Sequence, residues 1–294
     1  MTTSAPRASA PGGIPPAPLP PLGLTVVREA VAPVVQRGAD RAWSLADLDW
    51  RQVRPELLTD EDRSAVRFVT FIEDHIPGYL TWLLRTAPVD GSDLPTARVA
   101  VHREYVRFFI AWAYDEERHA AALTRYQEAA AVDTPDALRL SLAEAGRAHF
   151  DRPCPDLLGT FTYTMLQEKA TQLFYQRFRA VTREPVLRRL LTLLARDEAR
   201  HFGLYSQLVE AYVRRDPKAA APHLKDVLRT FRMPLAETLP RYRRWSLDVA
   251  DHCGYDHTEA YGALERLLRR YTDSRGGDGV DDLATFVTSL RALP

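Results

Sequence analysis

A five-residue motif that occurs twice constrains the fold of this chain more than any other feature. Residues 115–119 read Asp-Glu-Glu-Arg-His, and residues 197–201 read Asp-Glu-Ala-Arg-His. In each copy a glutamate precedes a histidine by three residues. On an α-helix this spacing places both side chains on one face, about one turn apart. The two side chains of each pair can therefore bind the same small ligand.

Both copies lie inside apolar stripes with helical spacing. The flanking apolar residues are Phe109, Trp112, Leu123 and Tyr126 around the first copy, and Leu191, Leu194, Tyr205 and Leu208 around the second. Each Glu-His pair interrupts the apolar face of its helix, so we expect it to point into a helical bundle. A buried carboxylate is costly unless it is paired or binds a metal.

Two further glutamates complete a recognisable ligand set. Glu73 and Glu168 lie at the apolar stripes of two other long helical segments. Di-iron carboxylate bundles use one glutamate from each of two helices and a Glu-x-x-His pair from each of the other two. Four glutamates balance the charge of two divalent ions, which makes burial of the whole site tolerable. The predicted ligands of two iron ions are Glu73, Glu116, His119, Glu168, Glu198 and His201.

One Glu-x-x-His pair by itself is more often a surface ion pair than a metal site. The duplicated motif, its apolar surroundings and the two partner glutamates favour the metal site here. The two cysteines, Cys154 and Cys253, are too few for a disulfide framework. They are expected to be packing residues.

The periodicity from about residue 60 onward is helical and predicts an all-α chain, a four-helix bundle with additional C-terminal helices. The segments predicted as helices are 61–85, 95–130, 135–150, 155–181, 184–214, 219–232, 234–251 and 257–272. Residues 1–40 begin with a proline- and alanine-rich stretch and are expected to be mostly disordered. Residues 41–294 are expected to form one domain, with a loop at Gly276-Gly277.

Composition narrows the classes of partner. Lys plus Arg equals Asp plus Glu at 39 each, and this balance argues against nucleic acid as a partner. The sequence has no run of about 20 apolar residues that would span a membrane, and its N-terminus lacks the order of a signal peptide. A cytoplasmic protein is therefore expected.

Several segments resemble the soluble acyl-acyl-carrier-protein desaturases of the plant stearoyl type and their actinobacterial relatives. The matching segments are 72–79 (Ile-Glu-Asp-His-Ile-Pro-Gly-Tyr), Trp112 with 115–119, 163–171 (Tyr-Thr-Met-Leu-Gln-Glu-Lys-Ala-Thr), 197–201 and Met233-Pro234. They occur in the order of that family, over about residues 60 to 240. The resemblance implies a ferritin-like fold with a di-iron centre.

The resemblance also implies roles for single residues. Glu116 and Glu198 match glutamates that bridge the two irons, while Glu73 and Glu168 match terminal ligands. Thr171 matches a threonine beside the metals. The remaining matches are groups around the ligands, namely Asp197, Asp115 and Trp112. An aromatic residue at helical spacing, such as Trp112, is more often a core residue than a contact of a metal ligand.

By the same resemblance, the chain is an O2-dependent di-iron desaturase with two iron ions (Fe2+/Fe3+) and O2 as co-substrate. The implied partners are an acidic acyl carrier protein that holds the acyl chain and a ferredoxin-type electron donor, and the implied assembly is a homodimer. An acidic carrier needs a basic docking surface. The candidate clusters are Arg177, Arg179, Arg183, Arg188 and Arg189, and Lys225, Arg229, Arg232, Arg241, Arg243 and Arg244. Either cluster could instead be a solvated charged face.

Three alternatives stay open on the sequence. A di-iron oxygenase could use the same ligands to hydroxylate or N-oxygenate a small molecule. A ferritin-like iron-handling protein would use a similar site but assemble into a large cage. A metal-free structural relative is disfavoured because all six predicted ligands are intact.

Overall fold

The computed structural model describes residues 18–152, 154, 156–273 and 285–289. They form ten α-helices, three short 3₁₀ turns and a short helical stretch at 285–289, and no β-strand occurs within these ranges. The helices are α1 (Leu24–Asp40), α2 (Asp60–Glu73), α3 (Ile76–Thr86), α4 (Thr96–Ala129), α5 (Pro135–Ala145), α6 (Leu157–Val181), α7 (Pro185–Arg215), α8 (Pro217–Thr230), α9 (Tyr242–Cys253) and α10 (Thr258–Asp273). Across the described ranges, none of them is both long and apolar enough to cross a bilayer.

Helices α2, α4, α6 and α7 form the central bundle. Helix α1 packs across α4 and α7, helix α8 packs against α6 and α7, and helix α9 packs against α2 and α6. The interior is rich in fully buried aromatic side chains, such as Tyr105, Phe109, Phe161 and Tyr205. The all-α prediction is confirmed, with the additional helices wrapped around the bundle.

Several helices begin where the sequence indicates. The Thr59 side chain accepts a hydrogen bond from the Asp62 amide at 3.1 Å, while the Asp62 carboxylate accepts one from the Thr59 amide, which forms a capping box at the start of α2. Thr134 caps α5, and Pro135 occupies its first turn. These caps satisfy backbone amides that would otherwise lack partners.

The run predicted as one helix over 61–85 is broken at Asp74 and His75, so this prediction is wrong in detail. Pro77 has no amide hydrogen to donate to the Glu73 carbonyl, and its ring would clash with that carbonyl in a continuous helix. Helix α2 therefore ends at Glu73, and α3 restarts at Ile76. The break places a predicted metal ligand on the last residue of α2.

The prediction that residues 1–40 are mostly disordered is wrong for residues 24–40. They form α1, and its buried valines Val27, Val31 and Val34 recur at the spacing of an amphipathic helix. The prolines and small residues upstream obscured this stripe, and Pro33 lies inside the helix on its exposed side. Residues 1–17 of the predicted disordered segment and the Gly276-Gly277 loop lie outside the described residues.

The helix predicted over 234–251 begins only at Tyr242. Leu235 and Arg241 have positive φ angles of 60° and 59°, which an α-helix cannot contain. Residues 231–241 instead form a turn-rich connection between α8 and α9. We call it the 231–241 connection.

Candidate metal centre

The repeated motif places two Glu-His pairs face to face inside the bundle. Glu116 and His119 lie on α4, and Glu198 and His201 lie on α7. All four side chains are buried. The apolar stripes of both helices face the bundle axis, so the motif residues within those stripes face it too.

The two predicted partner glutamates arrive from the other bundle helices. Glu73 ends α2, and Glu168 lies in the middle of α6, where both are buried. Their ligand atoms join the motif pairs in two groups, each with all ligand atoms within 4.8 Å of one another. The first group is Glu73, Glu116, His119 and Glu198, and the second is Glu116, Glu168, Glu198 and His201. Glu116 and Glu198 belong to both groups, so either carboxylate could reach both metal positions.

The histidine nitrogens mark the centres of the two groups. His119 Nδ1 lies 3.5 Å from Glu73 Oε2 and 3.5 Å from Glu198 Oε1. His201 Nδ1 lies 3.0 Å from Glu116 Oε1 and 3.5 Å from Glu168 Oε2. Nitrogen and oxygen atoms therefore converge on two adjacent positions.

Many of these buried atoms make no hydrogen bond within the described structure. They are Glu116 Oε1, Glu168 Oε2, both oxygens of Glu198, His119 Nδ1 and His201 Nδ1. An unsatisfied buried polar atom costs about 1–3 kcal/mol, and more when it is charged. Two bound cations would satisfy all of them, so the residues present fit a dinuclear metal centre.

Each motif aspartate holds the histidine of the other copy. Asp197 Oδ2 lies 3.4 Å from His119 Nε2, and Asp115 Oδ2 lies 3.2 Å from His201 Nε2. An Nε2–H that donates to a carboxylate leaves the Nδ1 lone pair free and directed at the ligand group. The aspartate of each motif thus orients the histidine on the opposite helix, although its own motif has a histidine four residues later.

The two motif arginines cross-link the same aspartates. Arg118 lies 2.6 Å from Asp115 and 3.1 Å from Asp197, and Arg200 contacts both carboxylates as well. Burial alone would raise the pKa of Asp115, but the His201 hydrogen bond and the two guanidinium groups outweigh it and lower this pKa to about 2. The pKa of Asp197 is lowered further by His119, Arg200 and Trp43.

Two of the candidate ligand carboxylates, Glu73 and Glu198, show the opposite pKa shift. Burial, and then the charge of Glu116, raise the pKa of Glu73 to about 7. Burial and the charges of Glu116 and Glu168 raise the pKa of Glu198 well above its ordinary value. Carboxylates crowded this closely repel one another, and a cation placed between them would reverse the effect.

Aromatic side chains donate hydrogen bonds to Glu168 and Glu73, the two glutamates outside the repeated motif, which we call the lone glutamates. Trp112 Nε1 donates to Glu168 Oε1 at 3.0 Å, and the Tyr175 hydroxyl donates to Glu73 Oε1. Trp112 thus contacts a candidate ligand and is also buried in the core. Thr171 is nearly buried one turn after Glu168, and its hydroxyl donates to the Gln167 carbonyl at 3.1 Å.

Sequence reasoning missed three contributors to the site. Trp43 Nε1 donates to Asp197 Oδ2 at 2.7 Å, and its ring stacks on His119 at 6.4 Å. Tyr175 and the arginine pair were also missed. Arg118 and Arg200 had a signal, since they repeat with the motif, whereas Trp43 and Tyr175 had none because they belong to no repeated pattern.

Two spaces adjoin the centre on different sides. A cavity of only about 10 Å3 is lined by Trp112, Thr164 and Gln167 on the bundle side and is closed by Pro234. A larger open groove of about 650 Å3 runs between α1 and α4 and reaches Asp115 and His201. The groove therefore borders His201 and the aspartate that contacts its Nε2 atom.

Two curated plant proteins are similar to this chain in sequence. Stearoyl-[acyl-carrier-protein] 9-desaturase 6 of Arabidopsis thaliana is 28% identical over 234 residues, which cover 73% of this chain and 51% of that protein. Acyl-[acyl-carrier-protein] desaturase 6 of Oryza sativa subsp. japonica is 27% identical over 171 residues, 53% of this chain and 38% of the relative. The chain thus spans about half the length of the first relative and less of the second.

Solved structures share the fold. DesA2 of Mycobacterium tuberculosis H37Rv, assigned as an acyl-ACP desaturase, superposes with a TM-score of 0.59 at 17% identity, over 87% of this chain and 98% of that chain. An R2-like ligand-binding oxidase with a Mn/Fe cofactor superposes with a TM-score of 0.50 at 19% identity, over 92% and 90%. At these identities the likeness concerns the fold alone, and it confirms the ferritin-like prediction.

The sequence profile described as fatty acid desaturase matches residues 44–273. This range includes all six predicted metal ligands and all four helices of the central bundle. The chain therefore belongs to the fatty acid desaturase family.

Proposed function

We propose that this chain is a di-iron, O2-dependent oxidoreductase that introduces a double bond into an acyl chain tethered to an acyl carrier protein. The observation that carries this proposal is the pair of overlapping ligand groups, which share Glu116 and Glu198. Family membership supports the reaction class, and the names of the Arabidopsis and rice relatives support a carrier-bound acyl substrate.

The ligand chemistry favours iron. Each group offers one imidazole nitrogen and carboxylate oxygens, and two ferrous ions would neutralise the four glutamates. Imidazole and carboxylate donors suit non-haem iron, with positions left for O2. When bound, such a pair supplies the reduction of O2 and the removal of hydrogen from unactivated methylene groups.

The reaction balance sets what the partners must deliver. Removing two hydrogens from adjacent methylenes and reducing O2 to two waters needs two further electrons and two protons. An external one-electron carrier of the ferredoxin type is therefore part of the proposal. The homodimer expected by resemblance remains part of it, and so does the single domain expected over 41–294, to which the packing of α1 on α4 and α7 adds residues 24–40.

The residues of this chain position the ligands and limit the access of water. Asp115 and Asp197 orient the imidazoles, and Trp112 and Tyr175 hold the lone glutamates. The side chains around the small cavity beside Trp112 are mainly aromatic, and they would have to move apart to admit an apolar chain because the cavity holds only about 10 Å3. No side chain needs to act as an acid or base in the C–H step.

The test is a reconstituted reaction followed by mass spectrometry. Protein loaded anaerobically with ferrous iron is given O2, a ferredoxin system and palmitoyl or stearoyl carrier protein. We expect the acyl group to lose about two mass units and the Glu116→Ala and His201→Ala variants to be inactive. Glu117→Ala, which changes the exposed neighbour of Glu116, is the matched control and should stay active.

Other outcomes point elsewhere. A gain of about sixteen mass units would replace desaturation with oxygenation at the same centre. Two irons bound per chain without any change in acyl mass would rule out this substrate. Elution of the purified protein as a large cage would favour iron handling.

A further inference from the structure

Tyr175 is a buried phenol in direct contact with the candidate metal centre. Its hydroxyl donates to Glu73 Oε1, while the other oxygen of that carboxylate, Oε2, lies 3.5 Å from His119 Nδ1. The side chain of Tyr175 is fully buried on α6, about two helical turns after Glu168. Glu73 therefore presents one oxygen to the ligand group and the other to a phenolic proton.

Two oxidisable rings donate hydrogen bonds to the lone glutamates, and they lie on different sides of the centre. Phenol and indole rings lose an electron more readily than the other aromatic side chains. Trp112, which donates to Glu168, lines the small cavity. Tyr175, which donates to Glu73, lines neither that cavity nor the groove between α1 and α4. Tyr175 is thus the oxidisable donor that faces away from both spaces.

A row of packed aromatic rings leads from Tyr175 toward the protein surface. The ring centroids of Tyr175 and Phe174 are 5.9 Å apart, and those of Phe174 and Tyr255 are also 5.9 Å apart. Tyr255 follows the end of α9 and is only partly buried. Rings at this spacing are in van der Waals contact. The fully buried phenol and the partly exposed one are therefore joined through a single intervening ring.

The turn between α9 and α10 positions the outer phenol. Gly254 ends α9 in the left-handed conformation, with a φ angle of 61°, and the Tyr255 amide donates to the Ala250 carbonyl at 2.8 Å. Both α9 and α10 pack against α6, where Phe174 contacts the Tyr255 ring. The row of rings is therefore held by helix packing and by a defined helix end.

We propose that Tyr175 and Tyr255 form a discharge route, which carries oxidising equivalents out of the metal centre when O2 reacts there without a bound acyl chain. This inference rests on the iron and O2 of the proposed function. It adds a second activity, the oxidation of the external electron donor through the protein. The route leaves the centre on the side of Glu73, away from the cavity beside Trp112.

The electron balance defines each step of the route. Reduction of O2 to two waters takes four electrons, of which the ferrous pair supplies two and the acyl chain normally supplies two. Without the chain, the O–H bond of Tyr175 breaks, its electron goes to the oxidised iron pair and its proton to Glu73 Oε1. Tyr255 then gives an electron to Tyr175 and a proton to solvent, and Tyr175 takes its own proton back. The ferredoxin-type donor and a solvent proton restore Tyr255, and a second passage delivers the fourth electron.

The test is electron paramagnetic resonance on iron-loaded protein that is mixed with O2 and frozen, with no acyl carrier protein present. We expect a tyrosyl signal, which must narrow when the protein carries ring-deuterated tyrosine. Tyr175→Phe keeps the ring but not the phenolic proton and should lose the signal. Tyr205→Phe is the matched control and should keep it, since it removes another fully buried phenol, one whose hydroxyl makes no hydrogen bond within the described structure. A signal that survives Tyr175→Phe overturns the route.

The outer step has its own test. Tyr255→Phe removes the exit, so the radical on Tyr175 should decay more slowly than in the wild type when samples are frozen at increasing times. Tyr261→Phe changes a neighbouring tyrosine on α10 that packs on His257, and it should leave the decay unchanged. Equal decay in the wild type and Tyr255→Phe overturns the step to Tyr255.

The results separate this inference from the proposed function. Acyl desaturation by the wild type without any tyrosyl signal overturns the discharge route and leaves the proposed function standing. A tyrosyl signal that depends on Tyr175, with no change in acyl mass, supports the route and overturns the proposed substrate. A wild type that binds no iron overturns both.

Iron content shows whether Tyr175→Phe has kept the centre. If the variant binds less iron than the wild type, 3-fluorotyrosine placed at position 175 keeps the hydroxyl that donates to Glu73. Its fluorine nucleus must then split the tyrosyl signal. A split signal supports the route, and an unsplit one overturns it.

Discussion

The two halves of the metal centre come from matching sequence but end in different surroundings. The His119 half contains Glu73, His119 and Asp197, and the His201 half contains Glu168, His201 and Asp115. Each half uses the same plan, with an aspartate behind the imidazole and an aromatic donor on the lone glutamate. The two halves therefore repeat one arrangement of side chains.

The halves differ in how they are covered. Asp197 is fully buried and accepts hydrogen bonds from Trp43, Arg118 and Arg200. Among the described residues no tryptophan donates to Asp115, which borders the groove between α1 and α4. The segment after α1 brings Trp43 to the His119 half only. A repeated motif thus fixes ligand geometry, while elements outside the repeat decide burial and access to solvent.

The largest effect should come from breaking what the halves share. Glu198 contributes to both ligand groups, whereas Glu73 and Glu168 each contribute to one. We expect Glu198→Gln to abolish binding of both irons, with affinity at least about 100-fold lower. Glu73→Gln and Glu168→Gln should each retain about one iron per chain. Metal analysis after anaerobic reconstitution measures this.

The iron content of the same variants also tests which glutamates are shared between the two ligand groups. If Glu198→Gln retains one iron while Glu73→Gln retains none, the glutamates that bridge the halves have been assigned to the wrong helices. Glu210→Gln, a change on the same helix far from the site, is the control for handling losses.

The next effect contrasts the two aspartates directly. Asp197→Asn removes one of the two carboxylates that pair with Arg118 and Arg200, and breaking a buried ion pair costs about 3–5 kcal/mol. Asp115→Asn should cost about 1–3 kcal/mol, because water in the adjoining groove can solvate what it leaves behind. Urea denaturation of the metal-free variants compares the free energies of unfolding. Equal losses of unfolding free energy in the two variants would mean that water in the groove does not solvate the groups around Asp115.

The sequence predicted the part of the centre that periodicity encodes. The helical stripes and the repeated Glu-x-x-His spacing located all six candidate ligands, and the structure brings all six together. The family resemblance, and not periodicity, indicated Asp197, and Asp115 was indicated because it holds the equivalent place in the first copy of the motif. Neither signal assigned their partners, since a motif does not show that each aspartate serves the histidine of the opposite helix.

What the sequence did not predict depends on contacts between distant segments. Trp43 reaches Asp197 across 154 positions of the chain, and Tyr175 reaches Glu73 across 102. Helix α1 was missed because proline-rich composition outweighed three valines at helical spacing. The break at Asp74-His75 was missed because the consequence of Pro77 falls on residues that precede it.

A smaller effect tests whether Trp43 accounts for the difference in cover. Trp43→Phe removes one donor from Asp197 and keeps a ring to stack on His119. Because Arg118 and Arg200 still satisfy the carboxylate, we expect a loss of only about 1 kcal/mol in the free energy of unfolding. Combining Trp43→Phe with Asp197→Asn in a double-mutant cycle isolates the bond. Strictly additive losses would show that the two side chains do not interact.

The smallest effect concerns the helix break that carries Glu73, which has no counterpart beside Glu168. Asp74 caps the end of α2, where burial and then the charge of Glu117 raise its pKa to about 6. A carboxyl with a raised pKa in the folded state stabilises the fold fully below its unfolded pKa near 4, and that contribution is lost as the pH rises through 6.

The free energy of unfolding of Asp74→Asn should therefore rise relative to that of the wild type between pH 4 and 6. Above pH 6 the difference between the two proteins should stay constant. The carboxyl is only half buried, so solvent screening limits the gain to about 1 kcal/mol. Denaturation of the metal-free proteins from pH 4 to 8 measures it. Glu117→Gln removes the second cause of the shift and should reproduce part of the gain. A difference between Asp74→Asn and wild type that does not change with pH would contradict a buried charge at the break. Glu73 would then differ from Glu168 only in its position at the end of a helix, and not in the electrostatics of the neighbouring residue.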